Sequence, residues 1–351
     1  MNLYNTRLSL DYSVKKYIQL SAINSIVSLC LSLVLMYTVL NDNRILGRLL
    51  GLTIAVSFVS GISLYSLYKK ARPTFNRVFL GFGLRYSAPL IAHGVAQTLL
   101  AQFDRIMIKS IVGLAEAGIY SFGGSIKNLL NVVANSLNTV WATWFFDEMA
   151  GNNVQKVKRR ACEYTLLVLL FGISALFIAP EIVKILGAKE YWDACYLAPP
   201  MVLDSYVMFI YAIIVQAEYY TKKTHYVLIG TVMAAIINII TNIVFINLYG
   251  YIAAAYTTLF AYTCYLVFHI IIAYRAIGFH VVAISQHLIQ GLVMGGCAGL
   301  CLVLMDRLAF RWILMVIFDC IIGCILIKMI SKDGDINLRI ALNSIFHRNN
   351  D

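Results

Sequence analysis

Residues 161–179 read ACEYTLLVLLFGISALFIA, nineteen residues whose only charged side chain is Glu163. At about 1.5 Å per residue, a helix of this length matches the roughly 30 Å hydrocarbon layer of a bilayer. Inside lipid the backbone has no water to bond, so such a run reads as a membrane-crossing helix. Just before it stand Lys156, Lys158, Arg159 and Arg160, the basic flank of a cytoplasmic loop. The reading extends in both directions. Apolar runs of similar length occupy 17–40, 46–68, 84–108, 118–146, 197–217, 225–246, 250–273, 284–305 and 308–330, which makes an all-α membrane protein of about ten transmembrane helices. The third and fourth runs are the most polar.

Composition supports this reading. Of 351 residues, 60% are hydrophobic and 13% charged, where a soluble domain carries about a quarter charged. So few charges cannot cover a water-facing surface. The net charge of +11 is spread in short clusters between apolar runs and forms no basic patch, so no nucleic-acid partner is expected. With the N-terminus in the cytoplasm, nineteen Lys and Arg fall on inside segments and eight on outside loops, while Lys127 lies within a span. This asymmetry places both termini in the cytoplasm. Eight cysteines without a C-x-x-C spacing indicate neither a zinc site nor a disulfide framework, and neither metal nor cofactor is expected. Cys297/Cys301 and Cys320/Cys324 read as small packing residues. No loop is long enough to fold as a catalytic domain, and no H-E-x-x-H, G-x-S-x-G or P-loop occurs, so no enzyme is expected; Gly81-Phe82-Gly83 lacks the context of a dinucleotide motif.

The polar residues inside the spans carry the chemistry, because a charged side chain at a helix centre costs about 2.5–3.5 kcal/mol on insertion scales and turns toward protein or water. The third span presents Arg85, Pro89, His93 and Gln97 at intervals of four, followed by Asp104; they share an arc of roughly 120°. The fourth presents Lys127, Asn128, Asn131, Asn135 and Asn138, within an arc of roughly 100°. Two such stripes facing each other line a wet vestibule, although asparagines also bond helix to helix with no further role. Arg85 sits near the cytoplasmic end, where snorkelling is the alternative. Asp204 in the sixth span suits a cation across the bundle, Asp319 in the tenth a local hydrogen bond, and Glu163 a solvated helix end. Pro89 is expected to kink its helix, and Gly291, Gly295 and Gly299 to permit close packing. Trp141 and Trp144, with Phe145 and Phe146, read as an interfacial anchor.

The stretch 85–121, RYSAPLIAHGVAQTLLAQFDRIMIKSIVGLAEAGIYS, resembles the opening of the second lobe in polysaccharide flippases of the multidrug/oligosaccharidyl-lipid/polysaccharide exporter superfamily. The matching features are Tyr86–Pro89, the Asp104-Arg105 pair, Gly113 and Gly118–Ser121. PEIVKILGAKEYWDACYLAPP at 180–200 and the run from Asn238 to Tyr262 are similar to later segments in family order. The resemblance implies two helical lobes that rock about a central cavity accepting an undecaprenyl-pyrophosphate-linked oligosaccharide, with its tail in membrane lipid. In this register residues 1–70 are the last two helices of a first lobe, 71–279 a complete six-helix second lobe, 280–330 an additional helix pair and 331–351 a cytoplasmic tail. The family's first four helices have no counterpart. A truncated product, a misassigned start and half of a split transporter stay open, the last with a complementary chain as partner; a glycan polymerase is a further partner.

The resulting expectation is translocation of lipid-linked oligosaccharide across the bacterial cytoplasmic membrane by alternating access. The candidate cavity residues are Arg85, His93, Gln97, Asp104, Arg105, Lys127, Asn128, Asn131, Asn135 and Asp204. Arg85, Arg105 and Lys127 suit the pyrophosphate, and Asn128, Asn131 and Asn135 the sugar hydroxyls. Two alternatives remain, a cation-coupled small-molecule antiporter of the same superfamily and a non-transporting remnant. The orientation has a direct check. A green fluorescent protein fused to the C-terminus is expected to fluoresce, and an alkaline phosphatase fused there to stay inactive.

Overall fold

The computed structural model describes residues 2–11, 13–70, 76–278 and 283–331. Arg72, Lys332, Arg339, Arg348 and the tail read at 331–351 beyond Ser331 lie outside the described residues. Ten helices of 19 residues or more occur among the described residues. Eight are long and apolar enough to cross a bilayer. The other two are the third and fourth spans of the sequence reading, which the structure extends to 35 and 37 residues. Their polar stripes lower their hydropathy without shortening them.

The chain forms two compact units, Met1–Phe82 and Gly83–Asp351. The first holds α1 (Asn2–Leu10), α2 (Val14–Val34), a π-helical turn (Leu35–Val39) and α3 (Arg44–Lys70). A short Asn41–Asn43 turn folds α3 back along α2. Their contact is close because Gly51 faces α2 and Gly47 faces the π-helical turn that follows it. A Cβ on Gly51 would lie 2.5 Å from Ser32 Cα, inside van der Waals contact with backbone that cannot yield.

Within the second unit run α4 (Arg77–Ile111, from residue 83 onward), α5 (Leu114–Ala150), α6 (Val154–Leu186), α7 (Ala194–Ile214), the single turn α8 (Gln216–Tyr220), α9 (His225–Tyr249), α10 (Ala253–Ile271), α11 (Ile284–Val303) and α12 (Leu308–Ser331). Gly250 at φ +75° separates α9 from α10, a left-handed backbone that favours glycine. The core centres on α7, which packs against α5, α6, α10 and α11. Of its most apolar stretch 78% is buried, against 11% in α12, so α7 is the interior helix and α12 a peripheral one. Among the described elements of the second unit, α4 makes the least close backbone packing.

Several local expectations are corrected. Trp141 and Phe145 are fully buried, with Trp141 Nε1 donating to Ile213 O at 3.4 Å, so they are core residues rather than an interfacial anchor. The reason is length: α5 continues to Ala150 and carries Trp141 and Phe145 within the bundle, while Trp144 is partly buried and Phe146 exposed. Glu163 is also buried rather than solvated, held by Arg160 Nη1 at 2.6 Å and Arg159 Nε at 3.3 Å. The glycine stripe of α11 faces open space, with no neighbouring atom within 4 Å of a Cβ built at Gly291, Gly295 or Gly299. α11 packs instead through Met294, Cys297 and Cys301, and the close fit comes from Gly172 of α6, where a Cβ would lie 2.7 Å from Met294 Cε. Cys320 and Cys324 are exposed. Asp319 accepts from Ser174 Oγ at 2.8 Å, a bond to another helix rather than a local one. Arg311, in the 308–330 run, is buried near the start of α12, donating to Phe177 O at 2.7 Å and pairing with Glu181 of α6.

The α2–α3 contact gives a stability prediction. Gly51→Val is expected to destabilise the hairpin by about 1–3 kcal/mol, the usual range for overpacking. A lowered thermal midpoint in detergent, followed by size-exclusion fluorescence, is the measurement.

Candidate functional site

In the second unit α4, α5, α7, α8 and α10 surround a cavity of about 410 Å³. Its wall carries His93 and Gln97 from α4, Lys127, Asn131, Asn135 and Asn138 from α5, Ser205, Phe209 and Tyr211 from α7, Gln216 and Tyr219 from α8, and Tyr262 from α10. The two polar stripes read from the sequence therefore meet at one space. Intervals of four along each helix keep these side chains in one row.

At one side of the cavity Lys127 Nζ lies 2.6 Å from Asp204 Oδ1. The Asp204 side chain is 2% exposed and that of Lys127 24%, so the carboxylate is sealed while the ammonium keeps a face to the cavity. The Tyr262 ring lies 5.5 Å from Nζ, in cation–π range. A buried carboxylate alone would carry a large desolvation cost, and the pair offsets it. The cavity thus holds one ammonium that is already neutralised, set among amides and phenols.

His93 Nδ1 lies 2.5 Å from Thr231 Oγ1, which ties α4 to α9. Tyr86 OH donates to Tyr219 O at 3.4 Å, and Thr224 Oγ1 donates to Tyr86 O at 3.1 Å. These contacts hold α4 along the cavity.

The remaining residues of the sequence-derived set stand elsewhere. Asp104 is buried away from the cavity wall, in a network of neutral donors: Tyr120 OH at 2.7 Å, Thr258 Oγ1 at 2.7 Å and Asn242 Nδ2 at 2.7 Å. Asn238 Nδ2 donates to Thr258 Oγ1 at 3.0 Å, Asn242 Nδ2 also to Asn238 Oδ1 at 3.2 Å, and Thr257 Oγ1 to Asn242 Oδ1. Three hydrogen bonds replace the hydration that this carboxylate has lost. Arg105 is half-buried, donating to Gln102 Oε1 at 3.4 Å, and Arg85 and Asn128 are exposed; none of the three lines the cavity. The sequence reading brought out the α4 and α5 faces but passed over the third. Ser205, Phe209, Ala212, Gln216 and Tyr219 follow at spacings of three and four, a stripe starting beside Asp204 that marks the helical face.

Fold and site together define an all-α membrane protein with a polar, half-enclosed chamber among its helices. Residues 14–149 match the model of the family described as "Polysaccharide biosynthesis protein". An uncharacterized membrane protein of Methanocaldococcus jannaschii is 26% identical over 235 residues, covering 61% of this chain and 55% of that protein. The chain thus spans about half the length of this curated relative. The fold is that of the solved lipid II flippase MurJ in its inward closed conformation, with a TM-score of 0.58 and 14% identity, covering 94% of this chain and 71% of that one. Over residues 14–149 the chain is thus similar to that family, and its overall fold is the one seen in MurJ.

The ion pair supplies a test. Asp204→Asn leaves Lys127 without its counter-charge and is expected to destabilise the protein by about 3–5 kcal/mol, as breaking a buried pair does. Adding Lys127→Met should recover much of that loss. A double-mutant cycle on thermal stability in detergent measures the coupling; additive effects would show that the two side chains do not interact.

Proposed function

We propose that this protein translocates a lipid-linked oligosaccharide, carried on undecaprenyl pyrophosphate, across the bacterial cytoplasmic membrane during polysaccharide biosynthesis. The headgroup occupies the α4–α5–α7–α10 chamber while the prenyl tail remains in membrane lipid. Alternating access exposes the chamber to each side in turn, and both termini stay in the cytoplasm. Within this reading residues 71–279 act as the six-helix lobe, 280–330 as an accessory pair and 1–70 as two helices of the other lobe. The working partners are a glycan polymerase or a complementary chain.

The chamber wall is the observation that carries the proposal. Lys127 offers its remaining ammonium donors to a pyrophosphate oxygen. Gln97, Asn131, Asn135 and Asn138 supply both donors and acceptors, the mixed set that vicinal sugar hydroxyls require. Tyr262, Tyr219 and Phe209 give flat apolar surfaces against which a sugar ring packs. Arg85, exposed on the same helix as His93 and Gln97, and half-buried Arg105 act outside the wall, where they attract the anionic headgroup. Asn128, also exposed, meets sugar only when the chamber opens on that side. Asp204 positions Lys127, and Asp104 fixes the helices around the chamber.

A second reading has its own support. Because Asp204 neutralises Lys127 and four aromatic side chains line the wall, the chamber also suits a small organic cation in a cation-coupled antiporter. Transport of a fluorescent undecaprenyl-pyrophosphate saccharide in proteoliposomes separates the two. The flippase reading expects flipping that Lys127→Gln and Asn131→Leu each reduce about tenfold, equivalent to about 1.4 kcal/mol of lost transition-state contact. Wild-type rates for both variants, together with restored glycan export in a flippase-deficient strain, would show that the chamber does not hold the headgroup. Efflux of an organic cation without any lipid flipping would favour the antiporter.

A further inference from the structure

Behind the chamber wall lies a second polar pair that the sequence reading did not single out. Glu218, in α8, and His269, near the end of α10, both have side chains that are 0% exposed. His269 Nδ1 and Glu218 Oε1 are 2.5 Å apart. The outer atom of each group, Glu218 Oε2 and His269 Nε2, is buried without a hydrogen-bond partner. The slot for the imidazole exists because residue 230 is glycine: a Cβ there would lie 2.5 Å from His269 Nε2.

The groups facing the pair are mostly neutral. From α7 comes Tyr211, whose ring centroid lies 4.8 Å from that of His269, and from α10 itself Tyr265 at 4.6 Å, edge-on. Tyr219 follows Glu218 on α8 and Phe268 precedes His269 on α10, its ring centroid 5.2 Å from the imidazole; the same elements also carry Tyr220 on α8, His225 at the start of α9, and Tyr274 and Arg275 in the π-helical turn after α10 (Ile272–Ile277). Lys222 and Lys223 follow α8 in the turn where Lys223 N donates to Glu218 O at 2.9 Å. α4 contributes Tyr86 and His93. His93 connects to the pair through hydroxyls: His93 Nδ1 is 2.5 Å from Thr231 Oγ1, which is 3.0 Å from Tyr265 OH. On the other side, Gln216 and Tyr219 flank Glu218 along α8, and both line the chamber. The pair is one layer of side chains away from the space assigned to the headgroup.

We propose that Glu218 and His269 form a proton-binding site that holds one exchangeable proton between Oε1 and Nδ1 and couples its uptake and release to the occupancy of the adjacent chamber. The electrostatics favour a single proton. With it the pair is net neutral, whether written as carboxylic acid and imidazole or as carboxylate and imidazolium; without it a bare carboxylate is buried, and with a second proton a bare cation is. The step breaks and forms only O–H and N–H bonds. A proton taken from water on one side becomes shared between the two atoms and is returned to water on the other side, with no change of oxidation state. α8 is a single turn, so a change at Glu218 reaches Gln216 and Tyr219 in the wall directly. The coupling rests on the transporter reading above, whereas the proton site itself does not.

Two measurements on the purified chain in liposomes test it. Infrared difference spectra taken across a pH titration, with carboxyl-labelled glutamate, are expected to show a protonated-carboxyl band that titrates in the wild type, disappears in Glu218→Gln and shifts in Glu218→Asp and His269→Gln. Glu163→Gln should leave this band in place. A wild-type titration with neither this band nor, with ring-labelled histidine, an imidazolium band that is lost in His269→Gln, or a carboxyl band that persists in Glu218→Gln, overturns the proton site, and the wild-type spectrum decides even where a variant fails to fold. The second measurement is flipping of the fluorescent undecaprenyl-pyrophosphate saccharide with and without a pH gradient. The wild-type rate should change several-fold with the gradient, and Glu218→Gln and His269→Gln should abolish that response. Variants that follow the gradient as the wild type does overturn the coupling. Absence of flipping by the wild type at any gradient counts against the flippase reading, and the infrared result then judges the proton site alone.

Discussion

A polar side chain placed inside a hydrocarbon layer has to find its partners in the protein, and the second unit is organised around that requirement. The carboxylate of Asp104, on α4, collects donors from α5, α9 and α10, and the last two, Asn242 and Thr258, are joined through Asn238. Asp204 of α7 collects the ammonium of Lys127 from α5. Glu181 of α6 takes Arg311 from α12, and Glu163 takes the two arginines that precede it on α6. Each acid fixes the approach of neighbouring side chains, and the apolar contacts around α7 fill in what these bonds define. Between α4 and α5 the polar rows do not close on each other in this way: Gln97, Asn131, Asn135 and Asn138 line the chamber.

Much of this was visible in the chain. Span positions followed from the length of apolar runs, and the rows on α4 and α5 from residues repeating every fourth position. Asp204 was marked as the partner of a cation on another helix, since an acid that deep has few other solutions. What the sequence did not disclose was which cation and which wall. Asp104 and Lys127 lie on similar polar rows, yet one is enclosed by hydroxyls and amides and the other opens on the cavity. That difference depends on Asn242 and Thr258, more than 130 residues away along the chain.

The errors share a cause. Trp141 and Phe145 read as a membrane-surface belt because they stand near the end of an apolar run, but the end of the run is not the end of the helix. The α11 glycines read as a packing seam because small residues allow close approach. Permission is not contact: the neighbouring helix meets Met294 and Cys297 on another face, and the glycine that mattered was Gly172 on the partner. Glu218 and His269 escaped notice because each is a single polar residue near the end of a span, where it passes for an interfacial group. Only the backbone return through α9 and α10 brings them together.

The way α4 is attached has a mechanical corollary. A helix locked by interdigitated aliphatic side chains cannot slide without opening voids, and dispersion energy resists that over its whole length. The C-terminal part of α4 is held this way, through Leu100, Met107 and Ile108, whereas along the chamber α4 hangs from discrete links at Tyr86, His93 and Asp104, each made to a hydroxyl, an amide or a carbonyl. Links of that kind trade one acceptor for another as they pass. The chamber-side part of α4 therefore resists displacement less than its buried C-terminal part does, like a curtain on rings rather than a brick in mortar.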